Sequence, residues 1–285
     1  MGIGMCSSKR LVHQPGLKPA SGKYATRSLA TDTDFDNKTN ITVLQFLYVD
    51  TTEGQDCQID PDSGAATFSM WDGTDGIYLL HSGSATSVGT WVVTKGASDF
   101  SNTLPGAPFC SEWAGTSGTK QENGICGAIA YTFNASLSED ESKIFRYTIK
   151  TGKSSNAFDN SESNLGAIGT STAIRLGNLS TNGSNVSYQM TAGAKIGKTA
   201  MWFSTLSEAN IDALVNYTAT GSMIYDVAGR YGASGYTNLG IAQPNHEWIP
   251  KLDGTILDTG SDGGKDLTIQ GSAKIATFGA YWYIW

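Results

Sequence analysis

At 285 residues with 39% hydrophobic and 16% charged residues, the chain can bury a substantial core, and its 34 glycines suit many short strands joined by tight turns rather than a helical protein. The net charge of −7 is uneven: residues 1–31 carry Lys9, Arg10, Lys18, Lys23 and Arg27 and no acid, so the remaining body is strongly acidic. An acidic body argues against a nucleic-acid partner, and no window is apolar enough for a membrane-spanning helix.

In chain order, residues 1–31 read as an extended basic arm, with Pro15, Gly16, Pro19 and Gly22 opposing regular structure. Such an arm either docks on the acidic surface of a neighbouring copy or is a solvated tail. Lys9-Arg10 is not followed by an apolar core of signal-peptide length, so synthesis in the cytoplasm is expected. Asp32, Asp34 and Asp36 then alternate ahead of a strand at 41–49. Alternating carboxylates can supply oxygens to calcium, but neither the glycine nor the distal glutamate of a calcium loop is present, and a polar turn is the competing reading.

Further strands are expected at 66–71, 77–80 and 90–95, with Trp71 and Trp91 as core residues. Residues 97–125 are rich in Gly, Ser, Thr, Asn and Pro and read as a long functional or interface loop, in which Trp113 is the candidate exposed aromatic for glycan contact. Strands at 125–133 and 143–150 follow. In the latter, Phe145 and Tyr147 alternate with Arg146 and Thr148, which predicts one buried and one wet face. A short strand at 173–177 interrupts the polar stretch 154–185.

At 195–214 the period changes. Ala200, Met201, Trp202 and Phe203 form a buried-strand run; Ser207 then suits a helix cap, Glu208 the first turn, and Leu206, Ile211, Leu214 and Val215 share one face. Beyond it, Asp258, Asp262 and Asp266 again suggest either calcium ligands or a turn, and Lys265 among them favours the turn. Five aromatics in the last eight residues, Tyr281, Trp282 and Trp285 among them, require cover from the chain itself or from a neighbour.

Motifs for catalysis are weak. Gly193 to Thr199 is one residue short of a phosphate-binding loop and leads into a strand. His13, His81 and His246 lie in unrelated contexts without a nucleophile elbow or a zinc-protease pair. Cys6, Cys57, Cys110 and Cys126 lack zinc spacing, although Cys110 and Cys126 could pair in an oxidising medium. No catalytic residues are assigned, and calcium is the one cofactor the pattern leaves open.

The order Trp202, Leu206, Ser207, Glu208, Ile211, Leu214 resembles the last core strand and closing helix of laminin-G-like, concanavalin A-like jelly rolls. His246-Glu247-Trp248, Leu252-Asp253-Gly254, Asp258 and Gly264 to Thr268 with Gly271 look like the tryptophan, aspartate and glycine hairpin that often accompanies this domain in phage proteins. The resemblance implies an all-β antiparallel sandwich of the jelly-roll type with one short closing helix and an additional C-terminal β hairpin region. It divides the chain into an arm (1–31), a sandwich (32–216) and a C-terminal extension (217–285). It further implies a non-enzymatic structural protein of a phage virion: a capsid decoration, collar or tail-fibre component. Its partners would be copies of itself and other virion proteins, joined through Lys9, Arg10, Lys18, Lys23, Arg27, Tyr281, Trp282 and Trp285, with host-surface glycan adhesion as a second role. The alternatives are a free carbohydrate-binding lectin-like module and a glycan hydrolase, the latter needing two carboxylates in one cleft.

Overall fold

The computed structural model describes residues 8–20, 22–49, 65–71, 76–83, 88–94, 100–105, 125–134, 143–148, 152–157, 173–181, 185–187, 194–215 and 233–284. The candidate residues Trp113 and Trp285, and the cysteines Cys6, Cys57 and Cys110, lie outside them.

Strands β1 (Ser8–Lys18) and β2 (Tyr24–Ser28) come first, then a 3-10 turn at Thr33–Phe35. There follow β3 (Asn40–Val49), β4 (Ala65–Trp71), β5 (Gly76–Gly83), β6 (Val88–Thr94) and β7 (Phe100–Pro105). The middle of the chain supplies β8 (Ile125–Asn134), β9 (Lys143–Thr148), β10 (Gly152–Ala157), β11 (Ala173–Leu176), β12 (Leu179–Thr181) and β13 (Asn185–Ser187). Then come β14 (Ala194–Trp202) and the helices α1 (Glu208–Leu214) and α2 (Ala233–Asn238). The chain closes with β15 (His246–Pro250), β16 (Ile256–Asp258), β17 (Thr268–Gln270) and β18 (Lys274–Ile284).

Among the described residues, one sheet runs in the order β10-β9-β8-β3-β14-β1-β18, with β15 and β16 attached beside β14; a second runs β17-β2-β11-β4-β5-β6-β7. Every pairing is antiparallel. The chain is therefore an all-β antiparallel sandwich, as the sequence suggested.

Alternation in the strands decides what lies between the sheets. Ile41, Val43 and Leu47 of β3, with Ile129, Tyr131 and Phe133 of β8, point inward against Phe68 and Met70 of β4 and Ile77 and Leu79 of β5, all buried. Gln45 shares that inward face, and its amide donates to Thr67 O and Thr199 Oγ1, both at 3.1 Å, so one buried polar side chain ties the two sheets together.

The opposite face of the larger sheet is also covered. Leu44, Phe46, Ala130, Phe145, Tyr147 and Trp202 pack under Leu206, Ile211 and Leu214 of the α1 segment and under Tyr236 and Ile241. This corrects the expected wet face of the strand at 143–150: Ile144 packs inward, Arg146 is buried, and Phe145 and Tyr147 lie beneath the helices. Ile149 and Lys150 fall outside the described residues. Helix α1 starts as predicted, with Ser207 Oγ accepting from Asn210 N at 3.2 Å and Glu208 in the first turn. Thr42 fixes the approach to it, its hydroxyl donating to Ser204 O and accepting from Leu206 N. A second short helix, α2, joins the single helix that was expected.

Pairing links segments that the sequence reading set apart as arm (1–31), sandwich (32–216) and extension (217–285). Strand β1 pairs with β18 over eleven residues, from Ser8↔Ile284 to Lys18↔Lys274, so the basic arm and the aromatic tail are adjacent strands of one sheet. Lys9 lies opposite Tyr283 and Arg10 opposite Trp282. Strand β2, also within the expected arm, sits between β11 and β17 in the other sheet. The C-terminal segment likewise supplies β15 to one sheet and β17 to the other.

Candidate functional site

The described polar side chains gather at the rim where the 3-10 turn meets the β15–β17 segment. Phe35 anchors the turn. It is fully buried, its ring stacks on His246 at 4.5 Å, and Phe203 meets it edge-on at 5.7 Å. His246 is in turn stacked against Trp248 at 5.7 Å, so an aromatic column rises from the core to the rim. Its Nδ1 lies 2.8 Å from Asp258 Oδ2, with both side chains fully buried.

Asp258 is the organising acceptor of the segment. Its Oδ1 accepts from Glu247 N (2.9 Å) and Gly260 N (3.1 Å), and its Oδ2 accepts from Lys265 N (3.2 Å) beside the histidine. A carboxylate bound in this way is committed to the fold. Gly260 must be glycine for the segment to close, since a Cβ there would lie 2.2 Å from Asn245 O.

Above this foundation lies an outer layer, half-buried except for the exposed Asp34 and Asp262. Lys265 reaches across to the 3-10 turn and pairs with Asp32 at 2.5 Å and Asp34 at 3.0 Å. Burial pushes the Asp32 carboxyl upward, but the hydrogen bonds from Lys265 and Asp34 N, with the charges of Lys265 and Arg27, outweigh it and hold the group below its usual value. Lys265 is correspondingly held above its usual value, chiefly by the hydrogen bond to Asp32, against the opposing pull of burial. Asn245 donates to Asp262 Oδ2 at 2.9 Å while its carbonyl oxygen accepts from Phe203 N at 2.8 Å. Lys38 places its ammonium 4.1 Å over the half-buried Phe203 ring.

The two acidic stretches read separately in the sequence are thus one surface. Asp32 caps the 3-10 turn, its Oδ1 accepting from Asp34 N at 3.3 Å, while Asp36 closes it by donating its N–H to Thr33 O. Asp266 Oδ1 accepts from Asp258 N at 2.8 Å. Among the described residues no three His, Cys, Asp or Glu side chains converge as metal ligands. The donors just named occupy the carboxylates of Asp32, Asp34, Asp258, Asp262 and Asp266, whereas Asp36 Oδ1 is buried without a hydrogen-bond partner among the described residues. Of the expected assembly residues, Lys18 lies in β1, Lys23 is exposed in the turn before β2, and Arg27 reaches Asp32 at 3.9 Å. Sequence reasoning missed Lys38, Phe203, Asn245 and the link from Lys265 to Asp32. The one local signal was a lone cation amid the acids of 258–266.

Other carboxylate clusters are similarly occupied. Glu208 and Asp212 of α1 share the ammonium of Lys153, and Tyr147 donates to Asp212 Oδ1 at 2.8 Å. Glu247 is buried with Lys198 and Tyr236.

No family model and no curated protein sequence matches the chain. Among solved structures it is similar to the heptameric SAP-like pentraxin of Limulus polyphemus, at 9% identity, covering 90% of this chain and 94% of that one, with a TM-score of 0.48. It is similar to the CBM40 of the Ruminococcus gnavus IT-sialidase bound to alpha2,6 sialyllactose, at 10% identity over 71% of this chain and 97% of that one, with a TM-score of 0.43. Domains LG4-5 of the mouse laminin alpha1 chain align at 8% identity over 73% of this chain and 46% of that one, with a TM-score of 0.36.

Proposed function

We propose that this chain is a non-catalytic carbohydrate-binding module of lectin type, with the rim around Asp34, Lys38, Phe203, Asn245, Asp262 and Lys265 as its binding surface. The observation that carries this reading is the layered rim. Exposed carboxylates and half-buried amide and ammonium groups surround one half-buried aromatic ring, and a buried carboxylate-histidine pair holds the whole in place. Sugars are recognised by such a combination of hydrogen-bonding side chains and one apolar platform. Asp32, Asp34, Asp258, Asp262 and Asp266 each already accept from a cation, an amide or a backbone donor, which favours binding over hydrolysis.

The test is a glycan array followed by calorimetry on the purified chain, with Asp34→Ala and Asp262→Ala as rim variants. Both residues are exposed, so melting temperatures should stay within a few degrees while binding falls at least tenfold. Failure to bind any arrayed glycan, or full binding by both variants, would refute the proposal.

A structural role in a virion, with host-glycan adhesion as its second task, is the other reading. It is favoured by β18, which is the outermost strand of its sheet among the described residues and offers an edge to a neighbour. Light scattering separates the two, because a monomer at micromolar concentration removes the support for copies joined through that edge.

A further inference from the structure

Lys198 of β14 and Glu247 of β15 form an ion pair sealed in the protein, their side chains 2% and 4% exposed. The register explains the meeting. Glu247 stands opposite Ala200, so Lys198, two residues back on the same face, is its diagonal neighbour. Two hydroxyls complete the cluster. Tyr236, buried in α2, accepts from Lys198 Nζ at 2.7 Å and donates to Glu247 Oε1 at 2.5 Å. Thr259 donates to Glu247 Oε2 at 2.7 Å. The rim site does not use this cluster, and an isolated ion pair at this depth has a desolvation cost that its attraction barely offsets.

We propose that Lys198 and Glu247 condense to an intramolecular amide that joins β14 to β15, with Tyr236 relaying the proton and Thr259 polarising the carbonyl. Proton transfer from Nζ to the carboxylate gives a neutral amine and acid, the form a low-dielectric interior favours. The Nζ lone pair then attacks Glu247 Cδ. The charge that develops on Oε2 is met by the Thr259 hydroxyl, in the manner of an oxyanion hole. Tyr236 touches both Nζ and Oε1, so it can pass a proton from the attacking nitrogen to the departing oxygen. An N–C bond forms, a C–O bond breaks and one water leaves; ammonium plus carboxylate becomes amide plus water, with no redox partner. Holding the two groups on paired strands supplies the effective concentration, roughly 10⁵ M or more for well-oriented groups.

This modification is independent of glycan binding. It is tested by the intact mass of the purified, reduced and denatured full-length chain, followed by tryptic mapping. The mass should be lower than that of the sequence by one water, about 18 Da, trypsin should fail to cut after Lys198, and one branched peptide should hold both residues. Tyr236→Phe, which keeps the ring and removes the relay, should melt cooperatively and show the full mass. A wild-type chain that melts cooperatively yet has full mass and is cut after Lys198 overturns the proposal. So does a water loss that maps to an Asp-Gly step such as Asp253-Gly254, where a cyclic imide would give the same mass.

Discussion

Replacing Asp258 by alanine is the sharpest perturbation of the rim. The carboxylate is fully buried and accepts from four donors: His246 Nδ1, Glu247 N, Gly260 N and Lys265 N, at 2.8, 2.9, 3.1 and 3.2 Å. Each donor stays buried or half-buried after truncation, and each lost charge-assisted bond is worth about 1.5–3 kcal/mol in isolation. The terms are not additive, because the segment can relax and admit water, so removal of one partner of a buried network sets the scale at about 3–5 kcal/mol. For a chain of this size that is roughly a 5–8 °C fall in melting temperature. Asp258→Asn should lose about half as much, since its oxygen can still serve Glu247 N and Gly260 N while its NH₂ faces the other two donors. Urea titration followed by near-ultraviolet circular dichroism measures both variants. A loss below about 1 kcal/mol for the alanine variant would show that the network does not hold the rim.

Deleting residues 1–31 removes β1 and β2, which pair with strands of both sheets, so the truncated chain should lose cooperative unfolding rather than merely dissociate; a sharp melt near that of the parent would contradict the pairing. Lys265→Ala leaves the largely buried Asp32 carboxylate without its ammonium and should cost about 1–3 kcal/mol at neutral pH. Because Asp32 is held below 3.8 and Lys265 above 10.5, the pair's contribution is present between those values. It is lost as pH falls through the lowered Asp32 value or rises through the raised Lys265 value, and parent and variant stabilities should converge at both extremes. Gly271 has φ +61° and a Cβ there would meet Gly22 O at 1.8 Å, so Gly271→Ala should cost about 2–4 kcal/mol by thermal melting.

The sandwich was legible where local and tertiary demands agree. Phe68 and Met70 alternate with Thr67 and Ser69, and the shift from strand to helix period at Ser207 marks β14 and α1 without ambiguity. Strands β7 and β10, Phe-Ser-Asn-Thr-Leu-Pro and Gly-Lys-Ser-Ser-Asn-Ala, lack that alternation; they are the last strands of their sheets, where pairing on one side substitutes for a buried face. Pro15 argued against a strand in the arm. Yet among the described residues β1 pairs with β14 at Leu17↔Ile196 alone, so Pro15 lies where no described partner needs its missing N–H on that side. The rim was legible in composition but not in assembly: nothing local to Asp32 announces Lys265, because the pairing of β17 with β2 brings them together.

The pairing of β1 with β18 also sets how the molecule answers to force. Ser8 lies opposite Ile284, so a load applied at those two residues pulls from one end of the same antiparallel ladder. It opens the rungs one after another, as a zipper opens, instead of shearing eleven residues at once. The first yield under tension is therefore at low force and confined to this pair, while the sheet order places β3, β8, β9 and β10 beyond β14 and off the line of load.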